Sequence, residues 1–67
     1  MDIKDLQRER KETEEEIRSA IQTIVEKFAK KTGLPIENVF VNMSFEPSEV
    51  DGQKIYSVDG VTCEVHW

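Results

Sequence analysis

The 67-residue sequence has a single cysteine and a single histidine. A disulfide framework needs paired thiols, and a zinc site of ordinary ligand count needs more Cys and His than one chain supplies. Long apolar runs are missing as well, and none approaches the roughly 20 residues of a membrane span. The opening stretch MDIKDLQRER lacks the apolar segment of a secretory signal. Basic residues are outnumbered, 9 Lys+Arg against 14 Asp+Glu, for a formal net charge of -5 and a sequence pI near 4.8. Phosphate recognition needs Lys and Arg, so nucleic acid is not an expected partner; nor, without an apolar run of spanning length, is a membrane. No phosphate-binding Gly loop, nucleophile elbow or EF-hand pattern occurs, so no cofactor or metal is expected. What remains is one small soluble domain over residues 1–67, expected in the cytoplasm.

The residues that are present divide into a helical half and a strand half. Residues 4–31 contain no Gly and no Pro and are rich in Glu, Lys, Arg, Gln, Ile and Ala, most of them good helix formers. Ile17, Ala20, Ile21, Ile24, Val25 and Phe28 recur at steps of three and four, which places them on one helical face. Gly33 suits a left-handed C-terminal cap with Leu34 folding back on the last turn, and Pro35 prevents continuation. Lys27, Lys30 and Lys31 sit where the helix dipole favours cations. A helix over about 28 residues is roughly 42 Å long, more than a small domain needs. Its first half differs from its second, because residues 7–16, QRERKETEEE, carry no apolar side chain. The seam Ile3, Leu6, Arg10, Thr13, Ile17, Ala20, Ile24 is heptad-like with a polar middle. It reads either as a solvated extension laced with pairs such as Glu14 with Arg18, or as a projecting helix that meets a partner.

The second half reads as β-structure, with strands expected at about 39–46 and 55–67. Val39, Val41, Met43 and Phe45 alternate onto one face, while Phe40 points the other way. Residues 46–53, EPSEVDGQ, form a loop by composition. Val61, Cys63, Val65 and Trp67 share a face, and Thr62, Glu64 and His66 share the other. Asp51-Gly52 and Asp59-Gly60 are both hairpin signals. The apolar parity breaks at the second, between Val58 and Val61. A bulge with Gly60 in the left-handed region gives one long two-stranded hairpin; a turn there gives a three-stranded meander in which Tyr56 faces Cys63. The long hairpin is the preferred reading. The expected fold is therefore α+β, a long N-terminal amphipathic helix packed on a small antiparallel sheet.

Few residues invite chemistry. Cys63 and His66 are three apart, which puts them on opposite faces of a regular strand and out of nucleophile–base reach. Cys63 then reads as a small apolar residue, and His66 as a surface residue beside Glu64. Tyr56 packs with its hydroxyl outward. Trp67 has the area of an anchor, docked either in a partner's groove or on its own core. Glu12, Glu14, Glu15 and Glu16 point around the helix cylinder and do not converge. No catalytic residue is expected.

Two resemblances accompany these residues. Thr32-Gly33-Leu34-Pro35-Ile36-Glu37-Asn38-Val39-Phe40-Val41, after an amphipathic helix, resembles the helix-to-strand turn of small tautomerases of the 4-oxalocrotonate type. That family works with an amino-terminal proline; here Met1 is followed by Asp2, so the activity is not implied. Ile17, Ala20, Ile21, Phe28, Thr32, Gly33 and Leu34, followed by two alternating extended segments, resemble small phage and prophage proteins with a helix and a β-hairpin. That resemblance implies an accessory protein and no particular activity.

One helix and two strands make a thin core at this size, with open sheet edges and neither disulfide nor metal to compensate. Self-association is therefore expected, as a homodimer. The functional expectation is a small acidic interaction module, not an enzyme, that binds another protein. Its candidate interface residues are Ile3, Leu6, Arg10, Phe40, Tyr56, His66 and Trp67. The alternative is an oligomeric enzyme or small-ligand-binding protein in which Cys63, His66, Tyr56 and Trp67 of different copies meet at a subunit interface.

Overall fold

The computed structural model describes residues 2–67. One long helix is followed by four antiparallel strands, which gives the α+β class expected from the pattern. The chain divides into two compact units, Met1–Pro35 and Ile36–Trp67.

The first unit is helix α1, Ile3–Thr32. Its start is set by Asp2, whose extended backbone places its carboxylate to accept from the Asp5 amide at 2.9 Å. That side chain satisfies one of the amides a helix start leaves unpaired. Replacing Asp2 by Ala is expected to cost about 1 kcal/mol of helix stability, read as a lower midpoint in a far-UV circular dichroism melt. Gly33 ends the helix at φ 78°, and its amide donates to the Ala29 carbonyl at 2.8 Å. Thr32 Oγ1 donates to the Phe28 carbonyl at 2.9 Å and accepts from the Leu34 amide at 3.2 Å. Only glycine takes that left-handed angle without steric cost, so the stop lies where the sequence places it.

The polar half of α1 is held by charge pairs along its own surface. Arg8 meets Asp5 at 3.2 Å and Arg10 meets Glu14 at 3.4 Å. Arg18 donates from Nε to Glu15 Oε1 at 2.9 Å, with Nη2 on the same oxygen. The expected Glu14–Arg18 pair is thus replaced by two others: Glu14 turns back to Arg10, and Arg18 takes Glu15 one turn before it. The hydrogen bond from Arg18, reinforced by its charge, holds the Glu15 carboxyl below its ordinary value and raises Arg18 in return.

The second unit contains β1 (Ile36–Met43), β2 (Ser48–Val50), β3 (Gln53–Ile55) and β4 (Val58–Val65). β1 pairs antiparallel with β4, and β2 with β3. This is the long hairpin, not the meander: Cys63 stands opposite Val39, and Tyr56 lies outside both ladders. The expected loop over residues 46–53 instead contains a small hairpin of its own. Its turn is Asp51-Gly52, with φ 52° and 78°. Two positive angles are the mark of a type I′ turn, whose twist suits a two-residue hairpin. Composition hid these strands because Ser48 and Glu49 are poor strand formers. They are held by Glu49 opposite Lys54 and Val50 opposite Gln53. The two hairpins are joined at Ser44 and Ser57. The Ser44 amide donates to the Ser57 carbonyl at 2.7 Å, and the Ser57 amide donates to Ser44 Oγ at 2.9 Å.

The β1–β4 ladder breaks twice. Asn42 pairs with Gly60 but Met43 with Val58, so Asp59 is an extra residue on β4. Ile36 pairs with Val65 but Asn38 with Glu64, so Glu37 is an extra residue on β1. The bulge at Asp59-Gly60 is the one the parity break required. Its conformation differs from the expected one, because only Gly33 and Gly52 among the described glycines have positive φ. The break at Glu37 was not anticipated, and it is why β1 begins at Ile36 and not at Val39.

Candidate functional site

Each bulge restores a face. In a regular strand Ile36 would share a side with Asn38 and Phe40; the extra Glu37 moves it to the side of Val39, Val41 and Met43. On β4 the extra Asp59 brings Val58 to the side of Val61, Cys63 and Val65 in the same way. Eight uncharged, mostly branched side chains therefore gather on one face of the hairpin. The opposite face carries Asn38, Phe40, Asn42, Thr62 and Glu64. Ile36, Val39 and Val65 are half-buried. Val41, Met43, Val58 and Val61 are 47–61% exposed. This apolar face is the candidate functional surface.

The bulges also shape the edges. A two-stranded ladder has two free edges, and edges invite pairing with other chains. Here each edge carries an out-of-register residue with a negative charge, Glu37 on β1 and Asp59 on β4. Bulges and edge charges are ways of blunting an edge, so edge-to-edge pairing is disfavoured on both sides.

The sequence-derived interface residues do not form one cluster in the hairpin unit. Phe40 stands opposite Thr62 on the polar face. Tyr56 precedes β4 and His66 follows it. Eight strand residues, about 26 Å, therefore separate them. Trp67 is 93% exposed. His66 turns to Glu37, not to Glu64: its Nδ1 lies 3.2 Å from Glu37 Oε1, both side chains being exposed. The bulge causes this, because it takes Glu37 out of the alternation that would have aimed it elsewhere. An exposed pair of this kind is worth at most about 1 kcal/mol. In α1, Ile3 and Leu6 are exposed and Arg10 is engaged with Glu14. Cys63 is free and exposed, with Val39 opposite it and His66 occupied by Glu37.

The charge is distributed unevenly. Residues 36–67 hold six acids (Glu37, Glu46, Glu49, Asp51, Asp59, Glu64) against Lys54 alone. Residues 1–35 hold eight acids and eight bases. The whole net charge of -5 thus lies in the hairpin unit. The conspicuous Glu12–Glu16 run belongs to a helix that is balanced overall.

Among the described residues, no group of three or more His, Cys, Asp or Glu is placed to hold a metal ion, and no helix is long and apolar enough to cross a membrane. In comparisons with known proteins, no family model, no curated protein and no solved structure matches the chain.

Proposed function

We propose that the chain is a small acidic interaction module without enzymatic activity, working in the cytoplasm as a homodimer that engages another protein. The observation that carries the reading is the uncharged face of the β1–β4 hairpin, where Ile36, Val39, Val41, Met43, Val58, Val61, Cys63 and Val65 gather. Two strands cannot cover their own face, and an isolated hairpin is barely stable in water. A second copy is one cover for such a face.

The absence of enzymatic activity is argued from the pair nearest to a nucleophile and a base. Cys63 and His66 turn to different neighbours, Val39 and Glu37. A phage-type accessory role is the setting suggested by the resemblance to small phage and prophage proteins.

The test is molar mass by light scattering after size exclusion, over a range of micromolar concentrations. A mass of two chains, dissociating only on dilution, is the expected result. A constant mass of one chain overturns the homodimer.

A further inference from the structure

Two Asp-Gly pairs, Asp51-Gly52 and Asp59-Gly60, stand in one chain with the same chemistry and different surroundings. A glycine after an aspartate leaves the amide between them open to react with the aspartate carboxyl, because no side chain screens it. At both glycines the space that a Cβ would fill is open. Nothing beside the glycines separates the two pairs, so the difference lies in what holds the backbone.

Asp51-Gly52 is the tip of the small hairpin. Three residue pairs close it: Ser48 with Ile55, Glu49 with Lys54 and Val50 with Gln53. All six of those residues are exposed. A two-stranded hairpin without a covered face is marginal in water, and such a segment opens at little cost in free energy. The turn closes between Val50 and Gln53, so the Gly52 amide has no partner across the ladder. Asp51 is held at φ 52°, alone among the described non-glycine residues in the left-handed region. Opening releases it from a conformation that residues with a Cβ rarely adopt.

Asp59-Gly60 is tied on both sides. Gly60 is half-buried and stands opposite Asn42, with Val61 opposite Val41 and Val58 opposite Met43. Beyond Val58, the hydrogen bonds between Ser44 and Ser57 close the end of the ladder. Opening there breaks into the long hairpin.

We propose that Asp51 is a site of spontaneous aspartate isomerisation in the folded chain, and that the β1–β4 ladder protects Asp59. The backbone about Asp51 rotates out of its turn, and the Gly52 nitrogen gives up its proton and bonds to Asp51 Cγ. The bond from Cγ to its hydroxyl breaks, and that oxygen leaves as water with the proton. Water then adds to the cyclic imide. Addition at Cγ breaks the new bond and restores aspartate. Addition at the former main-chain carbonyl breaks the original peptide bond and leaves isoaspartate. One water is released and one consumed, so mass, charge and redox state are unchanged. The main chain gains a carbon at the turn, and the two-residue loop that sets Val50 opposite Gln53 is lost.

The test is to age the full chain at neutral pH, below its melting temperature, and then to cleave it with trypsin. Cleavage after Lys31 and Lys54 puts the two pairs on separate peptides, residues 32–54 and 55–67. Peptide 32–54 is expected to split into components of equal mass on reversed-phase chromatography, on the order of tenfold faster than peptide 55–67. Equal mass separates this reaction from deamidation of Asn38 or Asn42, which raises the mass. In urea both peptides split at similar rates, because no ladder remains to protect either. Asp51→Glu, whose longer side chain closes a ring far more slowly, abolishes the splitting of peptide 32–54. Equal rates in the folded chain, or faster splitting of peptide 55–67, overturn the proposal. So does splitting of peptide 32–54 that survives the substitution, or its absence from the folded chain when both peptides split in urea.

Discussion

Deleting Thr62 is expected to cripple the hairpin, whereas deleting Asp59, three residues earlier, leaves it folded. The difference follows from register. Thr62 stands in the ladder opposite Phe40, so its removal slides one part of β4 by a residue and moves that part's side chains to the other face. The slip has an outlet, because the Asp59 bulge can straighten and absorb it. Even then Val61 is carried opposite Phe40 and Gly60 takes its place opposite Val41. One valine of the apolar face is lost, at a cost of about 1.5–3 kcal/mol once that face is covered. Asp59 has no partner in the ladder. Without it Gly60 and Val58 become ladder neighbours, and Val58 still falls beside Val61. The cost is expected to stay below about 1 kcal/mol, the range of surface changes that leave packing intact. A thermal melt followed by circular dichroism, together with light scattering, compares the two deletions. The Asp59 deletion has a second signature, because it regularises an edge that the bulge had blunted: species larger than a dimer appear at raised concentration. Equal destabilisation by the two deletions would show that the bulge is not what sets the face.

Placing proline at Ala20 is expected to remove about half of the helical far-UV signal. Proline in a helix interior loses its amide bond to the carbonyl four residues back, here that of Glu16, and clashes with it, for about 3 kcal/mol or more. The consequence goes beyond a local kink because the two halves of α1 are unequal. Residues 21–32 keep Ile21, Ile24, Val25 and Phe28 and the Gly33 cap. Residues 3–16 keep only the Asp2 cap and charge pairs exposed to solvent. A helix of about 14 residues held in that way is marginal in water. The polar half therefore melts when its continuity with the apolar half is cut, and the C-terminal half persists. A spectrum that keeps its full helical amplitude would mean that the polar half has a partner of its own, and the seam Ile3, Leu6, Ile17 would then be where to look for it.

The helix was readable in the linear sequence because each device that makes it is local. The freedom from Gly and Pro over residues 4–31, the three-and-four spacing from Ile17 to Phe28 and the glycine at position 33 act within a few residues of one another. The cap at Asp2 was not named from the sequence, and the helix begins at Ile3, one residue earlier than composition alone placed it. The bulge on β4 was legible for a related reason. Val58 and Val61 have opposite parity across Asp59-Gly60, and a strand can reconcile them only by a turn or an extra residue. The choice between those two was not local, because it depends on which strand pairs with β4.

Four features were decided only by the tertiary structure. The break at Glu37 lies between Ile36 and Val39, where a single apolar residue after Pro35 gives no alternation to violate. It becomes visible only when Val65 is found opposite Ile36. The partner of His66 is set by that bulge, twenty-nine residues away. The hairpin at residues 48–55 comes from cross-strand pairing that overrides weak strand propensity. The bulge glycine keeps a negative φ where a left-handed one was expected, because the extra residue is accommodated without it. The total charge and the chemistry of each side chain are determined by composition. Pairing between distant strands determines which of those side chains share a surface, because each bulge reverses the face of every residue on one side of it.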